Sequence, residues 1–178
     1  AAGSMMGSGG MIVMDEDDCM VAMAQFYLGF TVEESCGKCS PCRIGNKRLF
    51  EILNKITSGK GTEEDLRKLR DLGQVIKDTS LCGLGQTSPN PVLSTLDNFY
   101  DEYVAHVTEQ RCPAHQCRDL TVYYINPKKC TGCTLCAHVC PVHAIVGERK
   151  ATHIIDPNIC IRCGSCLEKC RFGAIYVY

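Results

Sequence analysis

Apolar residues recur with helical spacing through the first hundred positions, then give way to short runs broken by cysteine loops. Gly7-Ser8-Gly9-Gly10 with Met11-Ile12-Val13-Met14 reads as a glycine turn feeding a short buried strand. Met20, Met23, Ala24 and Tyr27 share one face of a first helix, and the acidic run at 15–18 before it suits a helix N-terminus. Leu49, Ile52, Leu53 and Ile56 form the stripe of a second helix over about 44–56, which stops at Ser58-Gly59-Lys60-Gly61. Thr62 with Asp65 three residues on has capping-box spacing, with Asp in place of the usual Glu, and Leu66, Leu69, Leu72 and Ile76 repeat behind it. Pro89-Asn90-Pro91 cannot be helix interior, so its second proline opens a fourth helix with Leu93, Leu96, Tyr100, Tyr103 and Val107 facing inward. Four amphipathic helices predict a small bundle, with the Met and aromatic stripe as core.

From Cys112 the texture is β-like. Thr121-Val122-Tyr123-Tyr124-Ile125, Ala144-Ile145-Val146 and Ala174-Ile175-Tyr176-Val177 are separated by cysteine loops, and Cys130-x2-Cys133-x2-Cys136-x3-Cys140 returns 30 residues later as Cys160-x2-Cys163-x2-Cys166-x3-Cys170. The predicted class is α+β: an entry segment at 1–15, a four-helix bundle at 16–108, a junction at 109–120 and a smaller cysteine-rich domain at 121–178.

Composition turns this outline into chemistry. Fifteen of 178 residues are cysteine, which implies either a disulfide scaffold or a metal-loaded protein. Spacing decides for metal, because thiolates two residues apart on a tight turn converge on one centre. The C-x2-C-x2-C-x3-C run is the spacing of bacterial two-cluster ferredoxins, in which three thiolates hold one [4Fe-4S] cube and the fourth crosses to the other. That assigns Cys130, Cys133, Cys136 and Cys170 to one cluster and Cys160, Cys163, Cys166 and Cys140 to the second. Two zinc sites would leave the third closely spaced cysteine of each motif without a purpose.

A further triple, Cys36-Gly37-Lys38-Cys39-Ser40-Pro41-Cys42, has no cysteine four residues later, so its fourth ligand must be remote. Cys82, in the glycine-rich Leu81-Cys82-Gly83-Leu84-Gly85 between the third and fourth helices, can be brought beside the loop joining the first two, completing a third cube with zinc as runner-up. Backbone N–H groups at Gly37, Gly83, Gly132 and Gly164 are expected to tune these clusters. Three cysteines remain. Cys19, Cys112 and Cys117 with His106 make a closed tetrahedral zinc set that would clip the bundle to the cysteine-rich domain, with His106 preferred to His115 because one residue separates His115 from Cys117. The competing reading makes Cys19 a small buried hydrophobe and the other two free thiols.

Ser35-Cys36-Gly37-Lys38-Cys39-x-Pro41-Cys42-Arg43-x-Gly45, with Ser80-Leu81-Cys82-Gly83-Leu84-Gly85, resembles the iron–sulfur domain closing the NADH-binding flavoprotein subunit of respiratory complex I. The opening residues 2–17 are similar to the segment by which that subunit enters its bundle, so the resemblance covers about 1–108. The added two-cluster tail resembles the β subunit of electron-bifurcating [FeFe] hydrogenases, a layout shared with NADP-reducing hydrogenases and NAD-dependent formate dehydrogenases. The resemblance implies FMN and NAD(P)H on an upstream domain, and partner subunits of a hetero-oligomeric complex. Soluble ferredoxin is a further implied partner. No phosphate-cradling loop stands in these residues, because Gly7-Ser8-Gly9-Gly10 precedes a strand pattern. The chain's expected task is therefore one-electron conduction; the rival reading is a free-standing polyferredoxin.

Charge adds limits. With 19 Lys+Arg against 20 Asp+Glu there is no basic excess to neutralise phosphates, which argues against nucleic acid. The longest apolar stretch, 20–30, is interrupted by Gln25, so no bilayer span is predicted, and with no signal-peptide pattern the expected compartment is a reducing cytoplasm. Twelve thiolates and three oxidised cubes would take the net charge to about −7. Lys128, Lys129, Arg149 and Lys150 are then the candidates for a local basic face.

Overall fold

The computed structural model describes residues 9–178, in two compact units that divide after Leu120.

In the first unit α1 (Met20–Glu33) starts at Cys19, whose Sγ accepts the Ala22 N–H at 3.4 Å and caps the helix. The expected acidic cap is not used: Asp15 and Asp18 instead close a turn on each other through two bonds of 3.1 Å. The buried seam runs through Val21, Ala24, Leu28 and Thr31, at helical spacing, and leaves Met23 and Tyr27 half-buried rather than central. Met11 to Val13 are exposed and unpaired into any sheet, so the predicted buried strand does not form; Gly7 and Ser8 lie outside the described residues.

A π-helical turn, Pro41–Gly45, runs straight into α2 (Asn46–Thr57), whose Leu49, Leu53 and Ile56 are fully buried. Helix α3 (Glu63–Thr79) begins with the predicted capping box. The Thr62 hydroxyl accepts the Asp65 N–H, and the Thr62 N–H donates to Asp65 Oδ2 at 2.8 Å. After α4 (Gly83–Thr87), the expected fourth helix is two pieces, α5 (Asn90–Asn98) and α6 (Tyr100–Thr108), broken where Phe99 leaves helical geometry at φ −131°, ψ 37°. The break lets Tyr103 bury completely while its hydroxyl bonds Thr95 Oγ1 at 2.8 Å, and it turns Tyr100, predicted inward, out to solvent. Residues 109–120, expected as a junction, pack with this unit: Cys112, Cys117 and Leu120 join its apolar core.

The second unit is small and two-fold repetitive. Strand β1 (Tyr123–Ile125) pairs antiparallel with β4 (Ile175–Val177), and β2 (Ile145–Val146) with β3 (Ile154–Ile155). One-turn helices α7 (Leu135–Val139) and α8 (Ser165–Lys169) follow the second cysteine of each motif. These helices and β3 carry too few residues for a periodic signal, which is why the sequence pattern misses them. Each strand pair joins the first half of the repeat to the second. Cys170 is therefore delivered beside the first motif and Cys140 beside the second.

Candidate metal centres

In the second unit Cys130, Cys133, Cys136 and Cys170 line one cavity, and Cys140, Cys160, Cys163 and Cys166 line another. These are the two crossed sets expected from spacing. Backbone donors reach the thiols at repeat-related positions: Ala144 N–H to Cys140 Sγ at 3.2 Å and Ala174 N–H to Cys170 Sγ at 3.3 Å. Arg162 N–H adds a bond to Cys160 at 3.4 Å. Gly132 sits at φ +68°, and a Cβ there would come within 2.6 Å of the Lys150 and Ala151 backbone, so the first motif can wrap this tightly only with glycine. Burial raises the Cys136 thiol and pushes Cys166 up to about 11, the cost of assembling thiols in an apolar pocket without a cation to stabilise the thiolate.

In the first unit Cys42 stands buried within the π-helical turn, a distortion that recurs at functional sites. Asn46 Nδ2 donates to its Sγ at 3.5 Å, the Asn46 amide being oriented by Ser88 Oγ at 2.8 Å, and the Ser35 hydroxyl lies 3.3 Å from the same sulfur. The Cys82 loop lies alongside: the Leu81 backbone N–H hydrogen-bonds Cys39 and holds its thiol below the usual range. A Cβ at Gly85 would sit 3.1 Å from Cys42 Cβ and 2.6 Å from Ser80, so only glycine lets α4 approach the triple. Cys36 and Cys82 are exposed. Gly37 N–H donates to the Ser35 hydroxyl rather than to a cysteine.

Cys19, His106, Cys112 and Cys117 are all buried, and their ligand atoms lie within 4.8 Å of one another. His106 Nε2 is 3.3 Å from both Cys19 Sγ and Cys117 Sγ, and those sulfurs are 3.7 Å apart. Zinc–sulfur bonds of about 2.3 Å in a tetrahedron require sulfurs about 3.8 Å apart. Since a carbonyl only accepts, Nδ1–H donates to Glu102 O at 2.7 Å, which leaves Nε2 as the nitrogen facing the sulfurs. Burial alone would lower His106, but Cys112 and Cys19 outweigh it and push the imidazole up to about 10. Hydrogen bonds from Cys117 and Cys19 lower Cys112, while the bond to Cys112 raises Cys117. His115 is exposed. All four residues fall within the first unit.

Residues 22–106 match the NADH-ubiquinone oxidoreductase-F iron-sulfur binding region, and residues 129–175 match the 4Fe-4S dicluster domain. The chain carries the iron–sulfur region of an NADH-ubiquinone oxidoreductase F-like subunit. The NADP-reducing hydrogenase subunit HndC of Solidesulfovibrio fructosivorans is 61% identical over 98% of the chain, which spans 36% of that relative's length. The NADP(+)-dependent formate dehydrogenase subunit beta of Moorella thermoacetica is 39% identical over 52% of the chain and 13% of its own length. Among solved structures, an NAD+-reducing [NiFe]-hydrogenase in the H2-reduced state aligns with a TM-score of 0.52 and 31% identity over 54% of the chain and 16% of its own. In this F-like region no helix among the described residues is long and apolar enough to cross a membrane.

Sequence reasoning passed over Asn46, Tyr123 and His153. Tyr123 lines the cavity of Cys140, Cys160, Cys163 and Cys166, and its hydroxyl is raised by burial and then by the charges of Cys166, Cys160 and Cys163. His153, 30 residues on, lines the other cavity. The repeat offset, carried back from the cysteines to the strands before them, would have found both.

Proposed function

We propose that this chain is the electron-conducting part of a multi-subunit NAD(P)-linked hydrogenase of the electron-bifurcating [FeFe] kind. It relays electrons between an FMN site carried elsewhere in the subunit and ferredoxin or hydrogenase partners. The observation that carries this reading is the pair of cavities, each lined by three cysteines of one motif and the last cysteine of the other. When bound, a [4Fe-4S] cube supplies one-electron transfer at a potential set by charge, hydrogen bonding and burial. The protein's own contribution is to present Cys130, Cys133, Cys136 and Cys170 to one cube, and Cys160, Cys163, Cys166 and Cys140 to the second. Cys36, Cys39, Cys42 and Cys82 would hold the third. The Ala144, Ala174 and Leu81 N–H groups and the Asn46 amide hold the thiolates by donating to them. The 61% identity to a subunit of an NADP-reducing hydrogenase supports an NAD(P)-linked hydrogenase complex.

Anaerobic analysis should return about twelve irons and twelve sulfides per chain. Cys82→Ser should remove or convert one cube only, with dicluster signals retained in electron paramagnetic resonance. A wild-type value near eight would remove the first-unit cluster from the proposal. In the intact complex, H2 oxidation that does not require both NAD(P)+ and oxidised ferredoxin would remove bifurcation while leaving the relay.

The buried set Cys19, His106, Cys112 and Cys117 is proposed to hold one zinc ion in a structural role, since all four positions of a tetrahedron are filled by protein. It would tie the start of α1, the end of α6 and the segment after it into one body. Cys117→Ser should lose about one zinc per chain with iron unchanged; zinc-free wild-type protein, purified anaerobically without chelator, would refute the assignment.

A further inference from the structure

The two cluster cavities of the second unit are built from repeat-equivalent positions whose side chains differ: Thr131, Thr134, Leu135, His153 and Phe172 in one stand where Ile161, Gly164, Ser165, Tyr123 and Val142 stand in the other, and of these only His153 is an imidazole. Tyr123 stands at the position of one cavity that His153 occupies in the other. His153 is 1% exposed. Its Nδ1 lies 3.1 Å from Ala151 O, and because a carbonyl only accepts, that nitrogen carries a hydrogen. The Cγ–Nδ1 edge is also pressed against Gly147, where a Cβ would come within 3.0 Å of Cγ and Nδ1, so this edge of the ring is closed by backbone. Nε2, on the opposite edge, is buried with no hydrogen-bond partner. A buried nitrogen without a partner is costly, and of the two cavities His153 borders, the cysteine-lined one rather than the one along β1 and β3 offers groups that could become its partner.

The groups that would share that cavity are thiolate and sulfide sulfurs, which are acceptors. A bare Nε2 lone pair facing them would be repelled, whereas an Nε2–H donates to them. We propose that His153 donates a hydrogen bond from Nε2 to sulfur of the cluster held by Cys130, Cys133, Cys136 and Cys170, raising that cluster's potential above that of its twin. The reduced cluster carries one more negative charge than the oxidised one, so a fixed hydrogen-bond donor to its sulfur stabilises reduction. Tyr123 offers the twin a phenol in place of this imidazole. The two cubes are thus unequal, with the cube near His153 the better resting place for an electron. This rests on the dicluster assignment above.

The test is a redox titration, followed by electron paramagnetic resonance, of the full chain purified anaerobically, with iron and sulfide assayed first. His153→Tyr, which copies the twin's wall, should lower one couple so that its reduced-to-oxidised ratio at fixed potential falls at least tenfold, about 59 mV for one electron. The other couple should stay in place. Tyr123→His should raise the other couple instead, and it keeps the proposal testable if His153→Tyr assembles poorly. In wild-type protein labelled with 15N-histidine, the reduced cluster should show a nitrogen coupling that His153→Tyr abolishes. Couples that do not move, or that move together, would overturn the role of His153 while leaving the clusters standing. Wild-type protein without dicluster iron would overturn the underlying assignment as well.

Discussion

The two units solve the problem of stability differently. The first buries a conventional apolar core of Val21, Leu28, Leu49, Leu53, Ile56, Leu69, Ile76, Val92 and Leu96, laid down by helices long enough to show their periodicity. The second has a core of three isoleucines, Ile125, Ile145 and Ile175, and two cysteines, Cys136 and Cys166, between strands of two or three residues and helices of one turn. So little apolar surface cannot offset the conformational entropy of some sixty residues unless metal–ligand bonds add to it. In one unit the fold carries the site; in the other the site carries the fold.

The largest effect that could break this contrast is removal of iron. Anaerobic chelation should bring amide exchange over 121–178 to the rate of an unfolded chain, while α2 and α3 keep their protection. Collapse of both units together would show that the first also depends on its metals for its fold. A smaller effect probes the other side: Leu53→Ala, at a fully buried position, should destabilise the first unit by about 2–5 kcal/mol in denaturant unfolding, with dicluster signals unaltered. The smallest concerns Arg171, which follows Cys170 where Pro141 follows Cys140. Its side chain is exposed, so Arg171→Pro should shift the cluster of Cys130, Cys133, Cys136 and Cys170 slightly negative, by less than the tenfold change in ratio expected for His153. A redox titration that ranks the two the other way round would place the dominant charge at the surface.

Periodicity and spacing carried much of this into view from the sequence. The Thr62–Asp65 capping box and the end of α2 at Gly59, φ +74°, depend on residues a few positions apart and were legible there. The cysteine triples likewise encode short-range convergence. Phe99, by contrast, breaks a helix whose pattern reads as continuous, because burying Tyr103 with its hydroxyl on Thr95 outweighs local propensity. Cys19 displaced four carboxylates as the cap of α1, since a buried neighbourhood with His106 and Cys117 fixes where that helix can start.

What the sequence determined by itself, then, was local: which segments are helical, which cysteines share a turn, and that a unit of thirty residues is used twice. Tertiary structure alone decided the long-range pairings. Cys82 is proposed from the sequence as a remote partner, and only the fold shows that the Leu81 N–H and Gly85 set its loop against Cys39 and Cys42. His106 was preferred to His115 by spacing, but its burial, with Nδ1 bonded to Glu102 and Nε2 on two sulfurs, depends on three segments meeting. The repeat offset pairs His153 with Tyr123, but that its Nε2 is buried without a partner is a property of its surroundings. Hydrophobic pattern reports the face a residue shows to its own element, whereas a ligand set or an orphaned donor exists only once distant elements have packed.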